Sequence, residues 1–436
     1  MPNVTGTIEL GSGALKNVKV ELWVWPGARA SGPSHTEGAS SEPFTARLGA
    51  HQVAGTGRTD ARGQFSIAPT REVAEQDGCM IAIKLEDADN RIVKVTYNGT
   101  NSWSVPYPGD RFLPQPLGAI RGTIDFPDAT PSNTRGVSTR GAGRIYQLIC
   151  QGYDYWQEQG FSQQPSSITV HVPADLPSSF GGAAFDQSTL LMRVTPGSVG
   201  AEPVILHEYG HHLLAISCPD TNAIDTSGHT WDGPASANAL LNRYPFWDVV
   251  PAAERQAWLR QARSQLGKDF VEAYCSFIAM CIRASGSRRP STRFAHSLFE
   301  ADVERESFIR CASGSPAGAT SYVQSGYGWG DLPSLAYLWD LVDSGRDGGQ
   351  DSVQMTFAQV HRACMDSRAK TTPMLHDYLL RSGPASARAG LPAVADLNFI
   401  NYAVYTEAFL ENPPIPPDPD AATAPDAAAA ASAGGS

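Results

Sequence analysis

The sequence predicts a multidomain chain: an all-β sandwich first, then an α+β domain whose C-terminal part is largely helical. Three observations carry this. Alternating apolar and polar residues are confined to about the first 105 positions. From about residue 141 a helical period is followed by two strand-like runs. From about 252 to 410 the pattern is mostly helical. With 436 residues and 42% apolar content, the chain can bury more than one core.

In residues 1–105, "VTGTIEL", "VKVELWVW", "GQFSIAP", "CMIAIKLED" and "RIVKVTYNG" alternate, with turn signals such as "GSG" and "DARG" between them. This spacing suits a small antiparallel sandwich of about seven strands. The order of a "GTI" strand, a "VKVELW" strand and "TGRTDARGQFSI" resembles transthyretin-like or carboxypeptidase-regulatory-like modules, with the Gly/Ser-rich stretch at 26–42 as an insertion. Residues 106–140, rich in Gly, Pro, Asn and Ser, read as a linker. Within them "IRGTIDF" echoes the earlier "VTGTIEL", which is thin evidence for a duplicated sandwich.

The second domain, 141–410, opens on "AGRIYQLICQGYDYWQEQGF", where Ile145, Leu148, Ile149, Tyr153 and Trp156 follow a period near 3.6. "SSITVHVP" and "TLLMRVTPG" are the next strands. The tail, 411–436, is Pro, Ala and Asp with nothing to bury and is expected to be disordered.

Composition excludes some functions. A formal net charge of -11 argues against nucleic acid as a partner, which would require clustered Lys and Arg. No apolar run approaches the roughly 18 residues of a membrane span, and the N-terminus lacks a secretory pattern. The seven cysteines include no CxxC pair, which removes a zinc finger but leaves room for one or two bridges. Cys275 and Cys281 read as buried free thiols. Oligomeric state has no signature in the sequence.

The chemistry concentrates in "EPVILHEYGHHLLAIS", residues 202–217. His207 and His211, four apart, share one helix face and can hold one metal ion. Glu208, between them, is placed to take a proton from a metal-activated water, the HExxH arrangement of zinc peptidases. Val204, Ile205, Leu206, Leu213 and Leu214 support a helix, and Pro203 is tolerated only in its first turn. Two ligands are too few, since a catalytic zinc takes three protein ligands and a water. The metzincin extension is excluded by Leu214 and Ser217. Downstream candidates for the third ligand are Asp225, His229, Asp232 and Glu272, the last in an apolar run where a carboxylate is costly unless paired or metal-bound. His212, rotated about 100° from His211, reads as a supporting or surface residue.

"VILHEYGHHLL", then "GHTWDG", then "FVEAYCSFIA" resembles the gluzincin metallopeptidases, and "SGYGWGDLPSLAYLWDLVDSGRDGG" and "TFAQVHRACM" resemble their C-terminal helical subdomain. The likeness covers roughly residues 140–400. It implies a zincin-type fold, zinc held by His207, His211 and Glu272, and a zinc-dependent endopeptidase acting on protein or peptide substrates with Glu208 as general base. "SYVQSG" resembles the thermolysin-like "VHxNSG", which would make Tyr322 a transition-state donor, with His229 a second candidate at the substrate. The substrate is expected along an edge strand, with "STLLMRVTPG" the candidate. The resemblance also suggests an extracytoplasmic life.

Two positions depart from the pattern. Ser276 stands where the family has an aspartate bonded to a zinc-binding histidine, and Ala273 replaces a glycine. Asp269 is a candidate to compensate for Ser276. Two rival readings follow: a peptidase-fold binding or adhesion protein with little or no activity, and a zinc hydrolase of non-peptide amides.

Overall fold

The computed structural model describes residues 3–11, 13–26, 51–89, 91–97, 99, 101–107, 117–128, 130, 134–177, 182–222, 252–285, 293–296, 299–302, 331–343 and 353–397. Side chains at 252–266, 269, 293–296, 299–302, 331–333 and 396–397 lie outside that description. The insertion, the tail and the expected roles of Asp225, His229, Asp232, Asp269 and Tyr322 therefore fall outside the described residues. The chain has a large sheet-rich part and a helical part. It divides into two compact units, one of Met1–Ser217 with Cys275–Asp302, the other of Cys218–Tyr274 with Val303–Ser436.

The first unit contains β1 (Val4–Leu10), β2 (Gly13–Ala14), β3 (Val18–Trp25), β4 (Gln52–Arg58), β5 (Gln64–Ile67), β6 (Gly78–Asp87), β7 (Val93–Thr96), β8 (Ser104–Tyr107) and β9 (Gly122–Asp125). The helix α1 (Thr139–Glu158), strands β10 (Ile168–His171), β11 (Ala183–Asp186) and β12 (Leu191–Val194), and the helix α2 (Glu202–Ser217) follow. The hairpin β13 (Arg293–His296) and β14 (Phe299–Asp302) completes it.

One sheet of the first unit joins β2, β1 and β5, with β9 on β1. Its tight turn is legible in "DARG": the Asp60 carboxylate accepts from the backbone N–H groups of Arg62 and Gln64 at 2.8 and 2.9 Å. Gly63 takes a φ of 72° there, open to glycine at little cost. The "GTI" echo has a structural meaning. Strand β9 runs parallel to β1 with Gly6 opposite Gly122, Thr7 opposite Thr123 and Ile8 opposite Ile124. A parallel, in-register pair puts identical residues on the same face, so Ile8 and Ile124 are buried together on one side. The echo is a strand pair within one sheet.

The larger sheet runs β11-β12-β10-β7-β6-β3-β4, with β8 also on β6. Strand β6 is its most buried strand, as the near-continuous apolar run "GCMIAIKLED" requires of a central strand. Parallel pairing of β10 with β7 carries this sheet across residues on both sides of position 105. Strand β12, expected to be an edge, lies between β10 and β11. That expectation is corrected: the short run 183–186, too brief to show a period, adds β11 outside β12, and among the described residues β11 pairs only with β12.

Helix α1 starts at Ser138, whose hydroxyl accepts from the Gly141 N–H at 3.1 Å. Ile145, Leu148, Ile149 and Trp156 are buried as the period predicts; Tyr153 is half-buried, and Tyr155 is buried. The helix lies against β1, β6 and β7, and α2 packs on α1, β11, β12 and β13. Being covered from several sides, α2 is buried almost all round, which is why its sequence shows little amphipathic period.

The short helix α3 (Pro219–Asn222) follows, and then the long helix α4 (Ala252–Ser285). The second unit continues with α5 (Asp331–Asp340), α6 (Phe357–Ser367), α7 (Thr372–Ser382), α8 (Ala385–Arg388) and α9 (Leu391–Leu397). Helix α6 opens on a capping box between Thr356 and Gln359. Helix α7 packs on α6 and α9, and α9 also on α5 and α8. No helix is long and apolar enough, among the described residues, to cross a membrane.

Candidate metal centre

Helix α2 begins at Glu202 with Pro203 in its first turn, so the proline removes no intrahelical bond. The Glu202 carboxylate sits between two guanidinium groups, Arg144 of α1 at 2.9 Å and Arg283 of α4 at 3.3 Å. A carboxylate in the first turn also suits the positive end of the helix. These contacts fix the start of α2, five residues before the first histidine.

Close approach is set by glycines. A Cβ on Gly210 would lie 2.7 Å from the Cys275 carbonyl oxygen and 3.0 Å from its Cα. A Cβ on Gly152 of α1 would lie 2.6 Å from the Tyr209 ring. Gly210 thus lets the backbone of α2 press against that of α4, one turn from the residue that matters there.

That residue is Glu272. His207, His211 and Glu272 offer ligand atoms that all lie within 4.8 Å of one another. A cation about 2.0 to 2.2 Å from each donor fits a cluster of that size after small side-chain adjustments. His207, Glu208 and Glu272 are buried and His211 is half-buried. Two neutral imidazoles and one carboxylate form a donor set that suits a divalent cation. The His207 and His211 rings stand nearly perpendicular, 81° apart with centroids 5.0 Å distant.

Ser276 occupies the place the sequence marked as a departure, and its Oγ lies 2.9 Å from the Nδ1 of His207. If Nδ1 carries the proton and donates it to the serine, the Nε2 lone pair is left for a metal. The orienting bond is therefore present with a neutral partner in place of a carboxylate. Its signal was available in the sequence, since Ser276 is one helical turn beyond Glu272.

His212 does not join the cluster. It is fully buried, its Nε2 donates to the Ser166 carbonyl at 2.9 Å, and Phe185 and Tyr209 flank it at 5.6 and 5.5 Å. Burial lowers its pKa to about 4, so it is neutral at ordinary pH. It is a supporting residue of the interior. Cys275 and Cys281 are buried free thiols as read from the sequence. Glu208 follows His207 on the same turn of α2 and is only 9% exposed. Comparison of the chain with protein-family models, with curated proteins and with solved structures finds no match in any of the three.

Proposed function

We propose that the chain is a zinc-dependent peptidase of the gluzincin type. The observation that carries the proposal is the convergence of His207 and His211 with Glu272, sixty-odd positions apart in sequence, around a volume that suits one divalent cation. A His, His, Glu set beside a glutamate one position after the first histidine is the composition of a catalytic rather than a closed structural zinc site. Bound there, zinc would supply Lewis-acid activation of water and of the scissile carbonyl.

The chain's own residues would do the rest. Ser276 holds the His207 ring in one orientation through Nδ1. Glu208, held in a largely buried position, accepts a proton from the attacking water and returns it to the departing amine. Among the described residues β11 pairs only with β12, so its other side offers backbone groups for strand addition by an extended peptide, and α2 packs on β11.

The experiment is metal content and peptide cleavage for the wild type and for Glu208→Gln. The expected result is about one zinc per chain in both, with cleavage reduced about 100- to 10,000-fold in the variant. Bound zinc with no cleavage across a broad peptide library would replace the peptidase with the binding-protein reading. Cleavage of small amides only would replace it with the non-peptide hydrolase.

A further inference from the structure

All six described cysteines are buried free thiols, and two of them are neighbours. Cys218 is the first residue after α2, and Cys364 lies on the buried face of α6. The Cys364 thiol has the Cys218 thiol and the hydroxyls of Thr221 and Tyr274 as neighbours. Cys150 and Cys281, by contrast, have the hydroxyls of Tyr146 and Tyr155 as neighbours.

The two segments meet at more than the sulfur atoms. The Thr221 hydroxyl donates to the Ala369 carbonyl, and Arg368 lies 3.9 Å from Asp220. Residues 218–221 and 364–369 are therefore held together by three separate contacts, all within the second unit. Cys218 is 5% exposed and Cys364 is fully buried, so a bond between them would sit inside the core.

We propose that Cys218 and Cys364 are a disulfide-forming pair, which would tie the chain where it leaves the motif helix to α6. The oxidant is a small-molecule disulfide. One cysteine thiolate attacks it, forming a mixed disulfide and releasing one small thiol. The second cysteine thiolate then attacks the cysteine sulfur of that mixed disulfide, closing the intramolecular bond and releasing the second small thiol. Two electrons pass to the oxidant, and the two protons lost from the cysteines end on the released thiols.

The neighbouring Cys218 thiol, together with burial, holds the Cys364 pKa well above its ordinary value, so in the packed, reduced protein the pair reacts slowly. The bond forms as the chain folds or when α3, a single turn, opens locally. Because the closed loop is long, the bond restricts the unfolded chain strongly.

The test is refolding of the full chain in mixtures of reduced and oxidised glutathione, followed by digestion and mass spectrometry without reduction. The expected product is one cross-linked peptide pair containing Cys218 and Cys364, with a protein mass lower by two hydrogens and a Tm above that of the reduced protein. Cys364→Ser and, separately, Cys218→Ala should remove both the cross-link and the dependence of Tm on redox state. Should either variant fail to fold, the wild-type peptide map still decides. Free thiols at both positions after oxidative refolding, or either cysteine joined to a different one, would overturn the proposal. Zinc content and cleavage are not read here, so the outcome is independent of the proposed function.

Discussion

His207 Nδ1 and Ser276 Oγ lie 2.9 Å apart, which joins the motif helix α2 to α4 through a histidine of the His207, His211, Glu272 cluster. A carboxylate at this place would make the imidazole more basic, whereas a serine orients it without adding charge. Ser276→Ala should lower zinc affinity about 10- to 100-fold, measured by competition with a chelator. Thermal stability of the metal-free protein should change far less. Unchanged affinity in Ser276→Ala would remove the orienting role.

At the proposed zinc site, Glu272→Ala should abolish stoichiometric zinc retention, since it takes away the ligand that α4 contributes to the cluster. Metal analysis after dialysis measures this directly. Full zinc occupancy in the variant would require a different third ligand.

Gly210→Ala tests how closely the helices must approach. Helix propensity alone favours alanine by about 1 kcal/mol. Here, however, the added Cβ would meet the Cys275 carbonyl at 2.7 Å, and backbone yields less readily than a flexible side chain. Overpacking of this kind costs about 1 to 3 kcal/mol. The expected outcome is a lower unfolding midpoint in denaturant together with weaker zinc retention, as the ligand helices are pushed apart.

Glu202→Ala should destabilise the protein by about 1 kcal/mol or less, because its two ion pairs are partly exposed and screened by salt. The loss should shrink between low and high ionic strength, as read from urea unfolding. A loss that is the same at both salt concentrations would assign the effect to packing instead of charge.

His361 provides a pH dependence. Burial lowers its pKa from 6.5 to about 3, and its Nδ1 lies 3.1 Å from the Tyr274 hydroxyl. The folded protein thus keeps this ring neutral in a range where the unfolded chain protonates it. Its stabilising effect is full above pH 6.5 and is lost as pH falls from 6.5 toward 3, at up to about 1.4 kcal/mol per pH unit. Denaturant unfolding at pH 7 and pH 5 should show the decline, with a shallower one in His361→Gln. Equal slopes in the two proteins would show that another group takes up the proton.

Much of this protein was legible from local pattern. The spacing of His207, Glu208 and His211 on an apolar run defines a helix face, because a 3.6-residue period is a local property. The same holds for the turn at "DARG". The sequence also contained Glu272, but the residues alone left it among four candidates. Its distance from the histidines depends on how α2 crosses α4, and hence on Gly210 against Cys275.

Strand order was beyond local pattern for the same reason. The period of "TLLMRV" shows that it is a strand and says nothing of its neighbours, so only the fold could place β11 outside β12. The "GTI" echo likewise became a parallel pair only once β9 lay on β1. Ser276 follows this division. Its position one turn after Glu272 was readable, but its bond to His207 exists because tertiary packing brings a second helix within 2.9 Å. Residue types and periods are written along the chain, whereas distances between remote segments are set by the packing of whole elements.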